Sequence, residues 1–381
     1  MEKLLKEYTF KCKQCGAPLI FDSKRQALIC EYCKTVEKIP IKNEKIVEHN
    51  FKKALEEIDK HLTDKPLKNF TAKCPVCGGE FELKFYERTT ICPYCKSPIL
   101  TNLDIFYDLH PESLLTFSFD KKRAKELFKN WIGSLWFAPN DLKYMLSHEK
   151  IEALYLPYWT YDCDTTSYYE GERGDIYYVY VQKEVLINGV REIRTVREER
   201  IRWSFKTGRV SRFFDDVLVG ASKTLPRAII NRLSPWDLEN LIPFEEKFLT
   251  GIKSQTYQVA LDEGFKEAQK KMELIIAQDV RNDIGGDRQK IISIKTYYDN
   301  VTFKYILLPI YQIKFNYKNK TYQIAINARN GKIFGERPYS YVKIIFTVLG
   351  VLLVSALVFT YADFLDSGYD SFWRYLQDMF S

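Results

Sequence analysis

Eight of the nine cysteines in this chain stand as four CxxC pairs, and their spacing is the strongest chemical signal in the sequence. Cys12, Cys15, Cys30 and Cys33 recur 62 positions later as Cys74, Cys77, Cys92 and Cys95, with fourteen residues between the pairs in both modules. A CxxC knuckle wraps two thiolates and nearby backbone N–H groups around one metal ion. Two knuckles brought together by a β-hairpin complete a closed tetrahedral site with no position left for a substrate. The chemistry expected is therefore structural, with two Zn2+ ions each folding one ribbon. Cys74-Pro-Val-Cys77-Gly78 is also rubredoxin-like and would accept iron, but the short span between the knuckles fits zinc better. Disulfides are the rival chemistry. The opening MEKLLKEYTFKCKQC has no apolar stretch of a secretory signal, which places these thiols in a reducing cytosol.

The remaining reactive groups read as ordinary structure. His49, His61, His110 and His148 are not at ligand spacing to a knuckle. Cys163 has no pairing partner, and its acidic neighbours Asp162 and Asp164 argue against a reactive thiolate. Val219–Thr224 lacks the spacing of a phosphate loop, and Asp283-Ile-Gly-Gly-Asp287 reads as a turn whose glycines permit positive φ. Glu170, Glu172 and Asp175, and the pair Asp215-Asp216, read as solvated strand ends and turns. No catalytic residue or cofactor-binding residue is assigned, and the chain is expected not to be an enzyme.

The elements that must position the cysteines follow from pattern. Ala17–Asp22 and Ala27–Ile29 flank a polar turn at Ser23-Lys24-Arg25, and Glu80–Phe85 and Thr89–Ile91 flank a turn near Glu87-Arg88. Each is expected to be the hairpin that joins its two knuckles. This gives a first zinc ribbon over 1–40, a partly helical linker over 41–69 and a second ribbon over 70–103. The linker helix has Asn50 as N-cap, an apolar face of Phe51, Leu55, Ile58 and Leu62, and Pro66 as its stop.

Residues 104–340 are expected to form an α+β, sheet-rich cytoplasmic region. Helices are predicted at Lys121–Ile132 and Leu261–Ile284, the second with a stripe of Phe265, Ala268, Met272, Ile275 and Ile276. Strands are predicted at Leu156–Trp159, Ile176–Val181, Ile193–Phe205, Tyr305–Tyr317 and Thr321–Ile326, with a tight turn at Asn330-Gly331. Leu156-Pro157 and Leu308-Pro309 each follow a helix and precede a Gly-Glu-Arg. This suggests two copies of one helix-plus-sheet unit, 112–235 and 236–340.

Ile344–Ala362 is nineteen residues without a charge. At ~1.5 Å per residue it would reach across most of a ~30 Å hydrocarbon core, so a transmembrane helix is expected over 343–362. Lys332, Arg337 and Lys343 precede it, and Asp363, Asp366 and Asp370 follow it. That asymmetry places the N-terminal bulk in the cytoplasm and a short tail, 363–381, outside the cell membrane. Tyr339, Tyr341 and Tyr361 stand where interfacial aromatics belong, and Phe372, Trp373, Leu376, Met379 and Phe380 give the tail an apolar face.

The 381 residues are 46% hydrophobic and 28% charged, which excludes wholesale disorder, and the 15% aromatic content favours sheet. The formal charge of +7 comes from interleaved signs. Residues 1–100 carry 19 basic against 14 acidic side chains, without a long basic stripe.

The chain resembles a bacterial family of membrane proteins with transcription-factor-IIB-type zinc ribbons, the YdjG-type proteins. The stretches that carry the resemblance are Cys92-Pro-Tyr-Cys95, Pro111–Leu115, Trp136–Asn140, Leu156–Thr160, Tyr169–Gly174, Phe214–Val217, Pro235–Leu238, Tyr257–Val259, Asp283–Asp287 and Gly335–Tyr339. Members are often catalogued as primosomal protein N′ or superfamily II helicases, a label that fails here for want of a phosphate loop. The resemblance implies a membrane adaptor linked to SPFH/band-7 (flotillin-like) proteins in membrane homeostasis or stress. Expected partners are thus the lipid bilayer, a membrane protein of SPFH type and a second copy in a homo-oligomer. The alternative is nucleic-acid binding through the ribbons, where Phe10, Phe21, Phe81, Phe85 and Tyr86 could stack on bases.

Overall fold

The computed structural model describes residues 7–41, 45–60, 69–101, 109–142, 150–187 and 190–379. Three strands set its frame: a central strand Glu152–Ile187, an arm strand Val190–Phe214 and a return strand Arg288–Tyr317. The central strand lies between the other two and pairs antiparallel with both. It meets the arm strand from Cys163↔Phe214 to Ile187↔Val190 and the return strand from Glu152↔Gln312 to Gly174↔Arg288. Its 36 residues replace the separate short strands expected there. The polar and glycine positions that suggested breaks are absorbed by register shifts at Asp162/Asp164 and Glu170/Gly171. At Gly171 a Cβ would stand 2.7 Å from both Ile284 Cδ1 and the Lys290 carbonyl, so the glycine permits close approach and not a turn.

Alternation along the central strand divides the core between two faces. Tyr155, Trp159, Tyr161, Cys163 and Tyr169 face the larger apolar cluster, while Leu154, Leu156 and Tyr158 face a smaller one with Ile229, Ile230, Leu233 and Trp236. The helix Leu261–Ile284 covers the first face. It has the expected bounds and buries Phe265, Ala268, Met272, Ile276, Val280 and Ile284. Ile275, expected in this stripe, is 44% exposed beside Leu274 at 76%. The stripe follows the 3.6-residue period to Val280 and Ile284 and does not widen sideways. Trp159 Nε1 donates to Val259 O at 3.0 Å and Tyr161 Oη to Leu261 O at 2.7 Å, so these buried aromatics are anchored at the start of the helix. Burying one such side chain contributes about 1.5–3 kcal/mol.

Asp283-Ile-Gly-Gly-Asp287 turns this helix into the return strand, with Gly285 at φ 68° and Gly286 at φ 74°. Asp287 Oδ2 then accepts from Ile176 N at 2.7 Å. The expected linker helix is present as Phe51–Lys60, capped by Asn50 Oδ1 accepting from Lys53 N at 3.0 Å. Phe51 packs on Tyr161 and Phe265, so this segment belongs to the core. Its expected end at Leu62 and Pro66 lies outside the described residues. The other predicted helix runs Lys121–Ser134.

The fold is α+β and sheet-rich, as expected, but it does not establish the proposed duplication. Leu156 pairs with Leu308 and Pro157 with Leu307, so the two Leu-Pro motifs are neighbours across the sheet. The hairpins that follow them differ widely, however, with second strands of 25 and 8 residues. At the C-terminus one helix runs Tyr341–Met379, of which Tyr341–Tyr361 is apolar and long enough to cross a membrane, and among the described residues none of that stretch is buried. The backbone helix continues through the expected tail. The side chains of its expected apolar face lie outside the described residues.

Candidate metal centres

Each four-cysteine group gathers at a single point. Cys12 Sγ lies 3.6 Å from Cys33 Sγ, and Cys15 Sγ lies 3.4 Å from Cys30 Sγ. In the second group Cys74 and Cys95 are 3.6 Å apart, and Cys77 and Cys92 are 3.8 Å apart. All four sulfurs of each group fall within 4.8 Å of one another. A tetrahedron of ~2.3 Å metal–sulfur bonds has edges of about 3.8 Å, so both groups fit a four-coordinate ion that prefers sulfur. Every one of the eight cysteines expected as ligands is in place.

The four knuckles share one backbone solution. In each, the residue after the second cysteine donates its N–H back to the first cysteine's carbonyl: Gly16 to Cys12, Lys34 to Cys30, Gly78 to Cys74 and Lys96 to Cys92, at 2.9–3.1 Å. All four of these residues have positive φ, from 62° to 75°. The two lysines hold a left-handed conformation that glycine adopts without strain. The fourth cysteine of each set also has a hydroxyl two residues on, with Thr35 Oγ1 3.0 Å from Cys33 Sγ and Ser97 Oγ 3.3 Å from Cys95 Sγ. The Thr35 side chain and backbone lower the Cys33 thiol to about 6. Burial would raise the Cys95 thiol, but the Ser97 hydroxyl and backbone outweigh it and hold that thiol at about 6 as well. Within the same groups the shift runs the other way at Cys74, which burial pushes up to about 11. At Cys15 the Ala17 backbone lowers the thiol, but hydrogen bonds with Cys30 and Cys33 outweigh it and raise it to about 12. Each group thus pairs a thiol that ionises readily with one that keeps its proton.

The first ribbon forms the expected hairpin, Leu19–Asp22 against Ala27–Cys30, with Asp22 Oδ1 accepting from Lys24 N at 2.8 Å in the turn. The second does not. Glu80–Leu83 pairs instead with Phe70–Lys73, and Glu87–Ile91 pairs with Pro98–Thr101. The reason is competition for an edge: the other side of Glu87–Ile91 is taken by Lys253–Gln255 from the main sheet. The two knuckles still converge, because the sulfurs are gathered at the knuckle ends of these paired strands.

Both ribbons are fastened to one segment, Phe248–Thr256. On one side Phe21 N donates to Thr250 O at 2.9 Å, and the Phe21 ring meets Phe248 edge-on. On the other, Thr89 Oγ1 donates to Ile252 O and Thr256 N to Tyr86 O. Lys253-Ser254 in turn pairs with Leu154-Tyr155 at the start of the central strand. Nothing in the composition of 248–256 announced this role. Its partners are far away in sequence, and its own residues are an ordinary mixture.

The other acidic and thiol groups are engaged elsewhere. Asp162, Asp215 and Asp216 cluster closely, but Lys304 Nζ lies 2.8 Å from Asp216, 3.2 Å from Glu48 and 3.7 Å from Asp162, which makes the cluster an ion-pair network around a buried lysine. Burial raises Asp162 to about 6 and Lys304 is raised by its carboxylates against the effect of burial. Glu172 pairs with Lys290 at 3.1 Å, Asp175 with Arg173 at 2.9 Å, and Glu170 accepts from Ser293. Cys163 Sγ is fully buried 3.6 Å from Met272 Sδ, and burial first, then Asp162 and Asp164, push its thiol up to about 11. His49 Nε2 pairs with Glu112 at 2.9 Å and has no place at a metal site. His61 and His148 lie outside the described residues.

No protein-family profile matches the chain, and no solved structure matches it. Its sequence is 21% identical over 348 residues, covering 87% of this chain and 90% of the other, to the Uncharacterized protein YdjG of Bacillus subtilis (strain 168).

Proposed function

We propose that this chain is a zinc-ribbon adaptor held at the cytoplasmic face of the cell membrane by one transmembrane helix. Its role is to bind protein partners there, an SPFH-type assembly being the partner that the resemblance favours. The observation that carries this reading is the pairing of two closed four-sulfur clusters with an apolar helix, Tyr341–Tyr361, none of whose residues is buried among the described residues. A closed all-sulfur site supplies rigidity and no chemistry. An unburied apolar helix of this length finds its solvent in lipid. The basic residues Lys332, Arg337 and Lys343 before the helix support a cytoplasmic domain, and retained thiols are consistent with that compartment. We read the protein as non-enzymatic, because its carboxylates serve ion pairs and strand contacts.

The deciding experiment is purification of the intact chain in mild detergent, with mass spectrometry of what accompanies it and an absorbance ratio for nucleic acid. We expect a stoichiometric membrane protein that is lost when Cys74 and Cys77 become serine. Nucleic acid in its place, with no protein partner and a steep salt dependence, would overturn the adaptor reading in favour of nucleic-acid binding through the ribbons.

A further inference from the structure

The apolar helix does not leave the domain on a free linker. Ser340 N donates to Phe137 O at 2.7 Å, and Lys343 Nζ donates to Trp136 O at 3.2 Å, Ala138 O at 2.8 Å and Asn140 Oδ1 at 2.8 Å. An ammonium has three donors, and all three go to the 136–140 segment that follows helix Lys121–Ser134. The first turn of the long helix is thus pinned to the folded domain.

The pinned segment carries an indole it does not bury: Trp136 is 73% exposed. Beside it, Asp141 accepts from Tyr317 Oη at 3.2 and 3.0 Å, which draws in the turn between the return strand and Lys320–Asn327. That turn exposes Lys318 and Lys320. Arg337 lies over the ring of Tyr339 at 5.4 Å, and Tyr339 and Tyr341 are 51% and 79% exposed. Exposed aromatics and cations are therefore gathered where the apolar helix begins. A large apolar ring with one N–H donor is poorly placed in bulk water and well placed at a bilayer surface. Lys343 is the third residue of the helix, so at ~1.5 Å per residue the Trp136 backbone sits level with the helix's first turn.

We propose that the 136–140 segment and the Lys318–Lys320 turn form a seat on an anionic lipid surface, with the Trp136 indole inserted at the headgroup boundary. This rests on reading Tyr341–Tyr361 as a membrane span. The seat fixes the attitude of the domain to the bilayer, where a flexible tether would let it swing.

The test reconstitutes the full chain in vesicles of phosphatidylcholine and phosphatidylglycerol carrying lipids brominated near the headgroup, and reads tryptophan quenching alongside flotation. Trp136→Phe should remove a shallowly quenched component that the wild type shows, the other tryptophans cancelling in the difference. Lys318→Glu with Lys320→Glu should weaken that component at least twofold, with helix content and metal content unchanged. Equal quenching of wild type and Trp136→Phe, with both floating, would overturn the seat and leave the span intact. A chain that fails to float would overturn the span and the seat with it. Quenching untouched by the charge reversals would remove the turn from the seat.

Discussion

At the scale of single residues, the two candidate metal centres rest on sulfurs 3.4–3.8 Å apart that are positioned by four nearly identical knuckles. Cys77→Ser should therefore lower bound metal from two ions to one per chain, measured by elemental analysis of the purified protein. Retention of both ions would show that three thiolates suffice at that site. Glu112 gives a pH-dependent test. Burial raises its carboxyl to about 7 from the ordinary 4.5, outweighing the favourable charge of His49. Between those two values the folded chain binds more protons than the unfolded chain, so this residue lowers stability as pH rises through the window. Denaturation of Glu112→Gln beside wild type should show the wild type losing stability relative to the variant from pH ~4.5 to ~7. Parallel curves would show that burial does not govern this carboxyl.

At the scale of elements, the close crossing of helix Leu261–Ile284 over the central strand depends on a glycine. A Cβ at Gly264 would meet the Tyr161 hydroxyl and stand 2.8 Å from Trp159 Cδ1, and both rings are fully buried. Alanine would gain ~1 kcal/mol of helix propensity, but overpacking a filled core costs ~1–3 kcal/mol. Gly264→Ala should thus lower the melting temperature, while Gly133→Ala, with nothing within 4 Å, should leave it unchanged or raise it. Equal behaviour of the two variants would refute the tight crossing. The same helix shows how much could be read from sequence. Its bounds followed from apolar spacing and the paired glycines, yet Ile275 was assigned inward. Apolarity alone does not say how wide a stripe the facing sheet will accept.

At the scale of the whole molecule, Phe248–Thr256 joins both ribbons to the central strand, so metal should be felt well beyond the ribbons. Chelation should release hydrogen-exchange protection at Lys253–Gln255 and Leu154-Tyr155 as well as at Glu87–Ile91, because these strands share ladder hydrogen bonds. Protection lost only in the knuckles would mean that the ribbons fold independently. A chain ending at Ser340 should keep both metal ions and the main unfolding transition while losing flotation with vesicles. Such a result would separate the folded domain from the apolar helix.

The sequence by itself determined the two four-cysteine sets, the helix capped by Asn50, the span of the helix Leu261–Ile284 and the membrane-crossing candidate. Each of these is written in local spacing: two thiols three residues apart, a 3.6-residue apolar period, nineteen uncharged positions. Strand partnership was not written there. Tertiary structure decided that Glu87–Ile91 would leave Glu80–Leu83 for Lys253–Gln255. It also decided that scattered short strands would merge into one of 36 residues, and that Lys343 would lock the helix to the 136–140 segment. The physical reason is that a backbone edge accepts any strand in suitable register. The winner depends on which distant segment the packed core brings alongside, a competition that no local window of residues records.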